Sequence, residues 1–153
     1  MSLSFLWKES HGAGETVETV TNLNFGSVDD GDLSVGSALI TAGNNSFEKW
    51  LRGHFTTYSA VTNLKFWKSS GTYVAGETVK AEVNTAYATP TASTSSVATS
   101  NVPTSSGTAL VPDDPGASPD YSGYIILQLQ TTVSVTPAGN VNQKQFSLSF
   151  DES

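Results

Sequence analysis

The stretch Tyr124-Ile125-Ile126-Leu127-Gln128-Leu129-Gln130-Thr131-Thr132-Val133-Ser134-Val135 decides the fold. Its odd positions carry Ile125, Leu127, Leu129, Val133 and Val135, interrupted once by Thr131, and its even positions include Gln128, Gln130, Thr132 and Ser134. Alternation with a period of two places one apolar row on one face of a sheet. Pro137-Ala138-Gly139-Asn140 then breaks the run. Phe146, Leu148 and Phe150 follow, separated by Gln145, Ser147 and Ser149. Residues 124–153 therefore read as a strand, a turn and a second strand in one hairpin. Its apolar rows are expected in a sandwich core. The polar rows, Gln128 and Gln130 on one strand and Gln143 and Gln145 on the other, are expected at an exposed or partner-facing surface. Asp151-Glu152-Ser153 should cap the last strand at a solvated edge.

The rest of the chain repeats the pattern in shorter pieces. Residues 4–8 alternate weakly, as a strand or as part of an N-terminal arm over residues 1–14. Residues 15–21 alternate Thr16, Glu18 and Val20 against Val17 and Thr19, and Leu23-Asn24-Phe25 continues them. Ala38-Leu39-Ile40 is a short apolar group before the loop Gly43-Asn44-Asn45. Residues 46–57 admit two readings. A helix would align Phe47, Trp50, Leu51 and Phe55 and use Ser46 as its N-cap. A strand would place Phe47, Leu51 and Phe55 on one face and Trp50 on the other. Gly53 and the run His54-Phe55-Thr56-Thr57-Tyr58 favour the strand. Residues 63–68 and 78–83 also alternate as strands.

Residues 85–121 differ in texture. They are rich in Thr, Ser, Ala and Pro, with Val97, Val102, Leu110 and Val111 as aliphatic anchors. So long a loop without structure of its own is unusual in a compact domain. Short edge strands are expected near residues 96–102 and 108–111, with extended segments between them, because proline suits sheet edges and loops. Residues 112–120 read as a surface loop. The count is seven to nine strands in a single domain over residues 1–153. The fold class is all-β: an antiparallel β-sandwich of jelly-roll or immunoglobulin-like type with a long Pro/Ser/Thr-rich segment.

Composition bounds the function. The chain has 153 residues, a hydrophobic fraction of 37%, a charged fraction of 14% and a formal net charge of −7. Such a charge disfavours binding of nucleic-acid phosphates. No run approaches the roughly 18 apolar residues of a membrane-spanning helix, and the first residues lack the basic start of a signal peptide. With no cysteine, disulfides, thiolate metal sites and cysteine nucleophiles are excluded.

Few residues suggest chemistry. Asp29, Asp30 and Asp32 surround Gly31. They could offer oxygen ligands to Ca²⁺, but the spacing does not match a twelve-residue calcium loop, and Asp and Gly are turn formers. The turn is the preferred reading there and for Asp113, Asp114 and Asp120. His11 and His54 are the only histidines. One lies in a Gly-rich loop and the other in an expected strand, without a nucleophile elbow. No carboxylate pair is flanked by the aromatics of a sugar cleft. No catalytic residue, cofactor site or metal site is assigned, and the chain is expected not to be an enzyme. Trp50, Trp67, Tyr73 and Tyr87 could stack a glycan, or the two tryptophans could cover a second sheet face or a subunit contact. Lys49, Arg52, Lys65 and Lys68 would form a basic patch if their two strands pair. Trp50, Trp67, Lys49, Arg52, Lys65 and Lys68 are thus the candidate interaction surface.

Phe25-Gly26-Ser27-Val28-Asp29, the run from Ile40 to Trp50, and Asn63-Leu64-Lys65-Phe66-Trp67-Lys68-Ser69-Ser70-Gly71 resemble the small virion proteins of tailed bacteriophages. Tyr121-Ser122-Gly123-Tyr124-Ile125-Ile126-Leu127-Gln128-Leu129-Gln130 and the ending from Phe146 to Glu152 share the resemblance. It covers most of the chain from Leu23 onward and assigns no residue a role. It implies a β-sandwich or jelly roll without an active site, placed in the virion after synthesis in the host cytoplasm. A capsid decoration (cement) protein on the capsid surface, contacting the major capsid protein or other virion subunits and forming a homo-oligomer, is the leading expectation. A tail or neck component, or a lectin-like module binding a host glycan, is the alternative. No nucleic-acid or membrane partner is expected.

Overall fold

Strand β8, Tyr124–Gln130, lies inside a large antiparallel sheet, and the chain builds outward from it. The computed structural model describes residues 2–136 and 142–153. Their other strands are β1 (Ser4–His11), β2 (Thr16–Thr19), β3 (Lys49–Thr56), β4 (Val61–Ser70), β5 (Thr78–Asn84), β6 (Ser100–Asn101), β7 (Asp120–Tyr121) and β9 (Gln145–Glu152). The larger sheet runs β2-β1-β3-β8-β5-β6, with β7 continuing beside β3. The smaller sheet contains β4 and β9. All pairings are antiparallel. There is no α-helix among the described residues. The expected all-β architecture of two packed antiparallel sheets is therefore present.

The sheets close over a core with two connected ends. Leu51 of β3, Val79 and Ala81 of β5, and Ile125, Leu127 and Leu129 of β8 face Phe66 of β4, with Phe146 and Leu148 of β9 at the margin. Phe55, Val61, Leu64 and Tyr58 fill the other end, against Phe5 and Phe150. Phe66 and Phe146 stack with centroids 5.7 Å apart. Residues 46–57 settle as strand: β3 starts at Lys49 and places Leu51 and Phe55 on one face and Trp50 on the other.

The outer face of the larger sheet is also covered, which corrects the reading of β8. Trp50, Tyr124 and Ile126 pack there with Ala98, Tyr87 and Val97 from the Pro/Ser/Thr-rich segment. Both rows of β8 are thereby buried. Gln128, expected at a surface, is 0% exposed. Its amide donates to the carbonyls of Ser46, Thr91 and Ser93 at 3.2, 3.3 and 2.7 Å, and its Oε1 accepts from the Ser95 N–H at 3.0 Å. A polar side chain inside an interior must be bonded in this way. Of the two expected edge strands, β6 pairs with β5 and Leu110 bridges Phe66.

The long strand also ends earlier than its apolar row suggests. Thr131, the one interruption in the row, accepts from the Gly43 N–H and donates to the Asn44 carbonyl. Residues 132–136 then curl, with the Val135 and Thr136 N–H groups bonding the Thr132 carbonyl. Val133 is left 68% exposed and Val135 is also exposed, so neither joins the core. The hairpin is a further correction: β8 and β9 belong to different sheets and do not pair. The turn at Pro137-Ala138-Gly139-Asn140 lies outside the described residues.

Candidate functional site

Polar chemistry concentrates where β1, β3 and the 9–32 region meet. Glu9 continues the inward row of Phe5 and Trp7 on β1, and Lys49 continues that of Leu51 and Phe55 on β3. Glu9 lies opposite Leu51 in the β1–β3 register, which makes Lys49 its diagonal neighbour. The Lys49 Nζ sits 2.7 Å from Glu9 Oε1 and donates to the Asp30 carbonyl at 2.9 Å. Both side chains are 2% exposed.

The other face of β3 carries a second group. Arg52 Nη2 lies 3.2 Å from Glu15 Oε1, and its guanidinium lies 4.1 and 4.7 Å from the ring centroids of Tyr121 and Tyr124. Glu15 also accepts from the Tyr124 hydroxyl and from Ser10. Burial, reinforced by that bond to Glu15, pushes the Tyr124 hydroxyl up to about 12, while Arg52 opposes the shift. The Tyr87 hydroxyl donates to the Gly12 carbonyl at 2.7 Å and is also raised, by burial first and then by Asp29 and Glu15. Both phenols are held neutral and serve as donors.

Two further carboxylates are engaged inside the fold. Glu48 accepts from the Trp50 indole N–H at 3.0 Å and from Ser95 Oγ. Glu77 pairs with Lys144 and accepts from the Val74 N–H. These buried groups bridge elements distant in sequence. The Glu9–Lys49 pair was missed in the sequence; the signal that could have found it is a charged residue continuing each apolar row. Glu48 and Trp50, two apart on one side of an extended segment, offered a weaker signal.

The sequence candidates fall apart as a surface. Trp50 is 0% exposed, and Lys49 and Lys68 are buried, so none of the three is available to a partner. Lys68 turns inward to the Gly71 carbonyl and lies 5.2 Å from the Tyr73 ring. Arg52 is held by Glu15 and the two tyrosines. Lys65 is exposed and Trp67 half-buried on the outer face of β4. Strands β3 and β4 belong to different sheets, so the pairing required for a basic patch does not form. The glycan-stacking set is dispersed for the same reason: Trp50 packs beneath Tyr87 of the covering segment, while Trp67 lies on the other sheet.

The aspartates build a turn. Asp32 accepts from the Thr21 and Asn22 N–H groups at 2.8 and 2.6 Å and from Thr21 Oγ1. These bonds, led by the Thr21 side chain, hold its carboxyl below the usual range. Asp29 accepts from the Gly12 N–H at 2.9 Å. His11 Nε2 lies 3.5 Å from Glu18, whereas His54 packs at a tilt against Tyr121 in the larger sheet.

An open cleft of about 410 Å³ lies beside residues 39–45, between Leu39, Ile40, Asn44 and Ala92. Among the described residues, no titratable side chain lines it. Leu39 is 78% exposed at its rim, and Val35 is exposed in the same loop. Val133 packs on Gly43 at the same end. The arrangement presents apolar side chains and backbone amides, a combination suited to contact with another surface. No protein-family model, curated protein or solved structure matches the chain.

Proposed function

We propose that the protein is a non-enzymatic structural component of a bacteriophage virion, a capsid decoration (cement) protein that binds and stabilises the shell. One observation carries the non-enzymatic part: the buried carboxylates Glu9, Glu48 and Glu77 are each engaged by an internal partner. A general acid or base needs a titratable group that can reach a bound substrate. Here such groups instead tie strands and loops together. The virion assignment rests on the resemblance in the sequence. The exposed apolar side chains Val35, Leu39 and Val133 at one end suit a contact with the major capsid protein. A lectin-like role is less favoured, because Trp50 is enclosed.

The test is co-sedimentation of the purified protein with capsids that lack it, followed by thermal disruption of the shells. The expected result is saturable binding and a raised disruption temperature. Absence of binding, with the protein recovered instead in purified tails, would move the assignment to a tail or neck component. A specific hit on a glycan array would favour the attachment module.

A further inference from the structure

The open edge of β9 has the geometry of a self-pairing strand. Phe66 of β4 both donates to and accepts from Leu110, at 2.8 and 2.9 Å, and the Lys68 N–H bonds the Pro103 carbonyl. Those residues therefore direct their backbone groups away from β9. The alternate residues Lys65 and Trp67 must serve β9, opposite Ser149 and Ser147. It follows that Ser147 and Ser149 turn their backbone groups toward β4, while Phe146, Leu148 and Phe150 turn theirs outward. Among the described residues, no strand pairs with that outward edge.

This edge lacks the usual protection. Natural edges are short, bulged, charged or interrupted by proline. The outer strands of the larger sheet fit that rule: β6 has two residues, and β2 has four with Glu18 among them. Strand β9 has eight residues; its charges, Asp151 and Glu152, sit together at one end, and the six residues from Gln145 to Phe150 carry neither proline nor charge. It belongs to a sheet of only two strands. Its inward side chains Phe146, Leu148 and Phe150 remain only partly buried.

We propose that β9 pairs antiparallel with β9 of a second copy of this chain, about a two-fold axis at Leu148. The two small sheets then merge into one of four strands. Leu148 faces Leu148 of the second copy, and Phe146 faces its Phe150. Each facing pair exchanges two backbone hydrogen bonds, and the apolar row continues across the axis. The same register separates like charges: Asp151 falls beside Gln145 of the second copy and Glu152 beside its Lys144. Ser147 falls opposite Ser149 of the second copy on the outer face. An isologous contact of this kind closes on itself as a dimer.

Sedimentation at about 0.15 M salt, which screens the repulsion between two acidic chains, should give about twice the 16.1 kDa of the chain. S147E/S149E places glutamates opposite each other across the axis and should return the mass to one chain with an unchanged circular-dichroism spectrum. S147K/S149E makes the same contacts complementary and should restore the doubled mass. Because the chain has no cysteine, the register has its own test. Facing residues of this type lie about 4.5 Å apart, within disulfide reach. An oxidised mixture of S147C and S149C chains should cross-link well beyond either variant alone. A wild-type monomer at millimolar concentration, a dimer indifferent to S147E/S149E, or equal cross-linking in all three samples would each overturn the proposal. Should S147E/S149E fail to fold, the cross-linking result decides. A negative outcome leaves the capsid assignment standing, since that is read from capsid binding.

Discussion

The Nζ of Lys49 sits 2.7 Å from Oε1 of Glu9, with both side chains enclosed between β1, β3 and the 29–32 turn. Taking two charges out of water is costly, and their mutual attraction together with the Asp30 carbonyl offsets the cost. Removing one partner leaves the other buried and uncompensated. Glu9→Gln and Lys49→Met are each expected to destabilise the fold by about 3–5 kcal/mol. The double substitution Glu9→Leu with Lys49→Met should recover most of that loss. Urea unfolding of the three variants measures it. A double-variant loss equal to the sum of the two single losses would show that the pair is not coupled.

Gln128 joins β8 to the Pro/Ser/Thr-rich segment through its bonds to residues 91–95. Gln128→Leu keeps the volume but strands the Ser95 N–H and several carbonyls. Each buried group left unbonded costs about 1–3 kcal/mol. The expected loss is at least about 2 kcal/mol, with faster hydrogen exchange at the Ser95 amide. Exchange unchanged at Ser95 would mean that the segment is held by Trp50, Ile126 and their neighbours alone.

Period-two alternation made the strands at residues 4–8, 63–68, 78–83 and 145–150 readable, since each has one face on a core. The same logic failed on β8, which is buried on both faces. An apolar row with Gln128 and Gln130 behind it looks like a half-exposed strand. Only the covering segment, whose residues 91–95 lie more than thirty positions away in sequence, makes Gln128 internal, while Gln130 stays half-buried. Alternation also continues through Val133 and Val135, although Thr131 has already left the sheet for the 43–44 loop. The basic patch failed at the level of topology: local pattern does not reveal that β3 and β4 enter different sheets. Lys49 was misread as part of that patch, although its place in the row of Leu51 and Phe55 was the signal that it turns inward and needs a counter-charge.

The turn at Asp32 predicts a response to acid. Its carboxylate, bonded to Thr21 and Asn22, titrates below the usual range in the folded protein. A lowered folded value means that the charged form is favoured by folding. The contribution is complete above the ordinary aspartate range and is lost as pH falls through the folded value. The Thr21 and Asn22 amide resonances should therefore shift with a midpoint below that of a free aspartate. Asp32→Asn should abolish the acid-dependent step. A midpoint in the ordinary range would remove the hydrogen-bond explanation.

Gly71 closes the end of β4 against the segment that leads into β9. Its φ is +94°, and a Cβ there would clash with the Gln143 carbonyl oxygen and lie 2.7 Å from the Lys144 Cα. Gly36 has a similar φ of +80°, with nothing within 4 Å of such a Cβ. The two positions separate backbone strain from crowding. Gly36→Ala meets only the left-handed penalty of about 1–2 kcal/mol. Gly71→Ala meets that penalty and must also displace the backbone at residues 143–144. Displacement at Lys144 carries its ammonium away from Glu77, a carboxylate that is itself buried. The loss at Gly71 should exceed that at Gly36 by at least about 1 kcal/mol, and Glu77→Gln should narrow the gap by removing the charge that Lys144 serves. Equal losses in thermal unfolding would show that the 143–144 backbone yields freely, and that the entry to β9 is not fixed by its contact with Gly71.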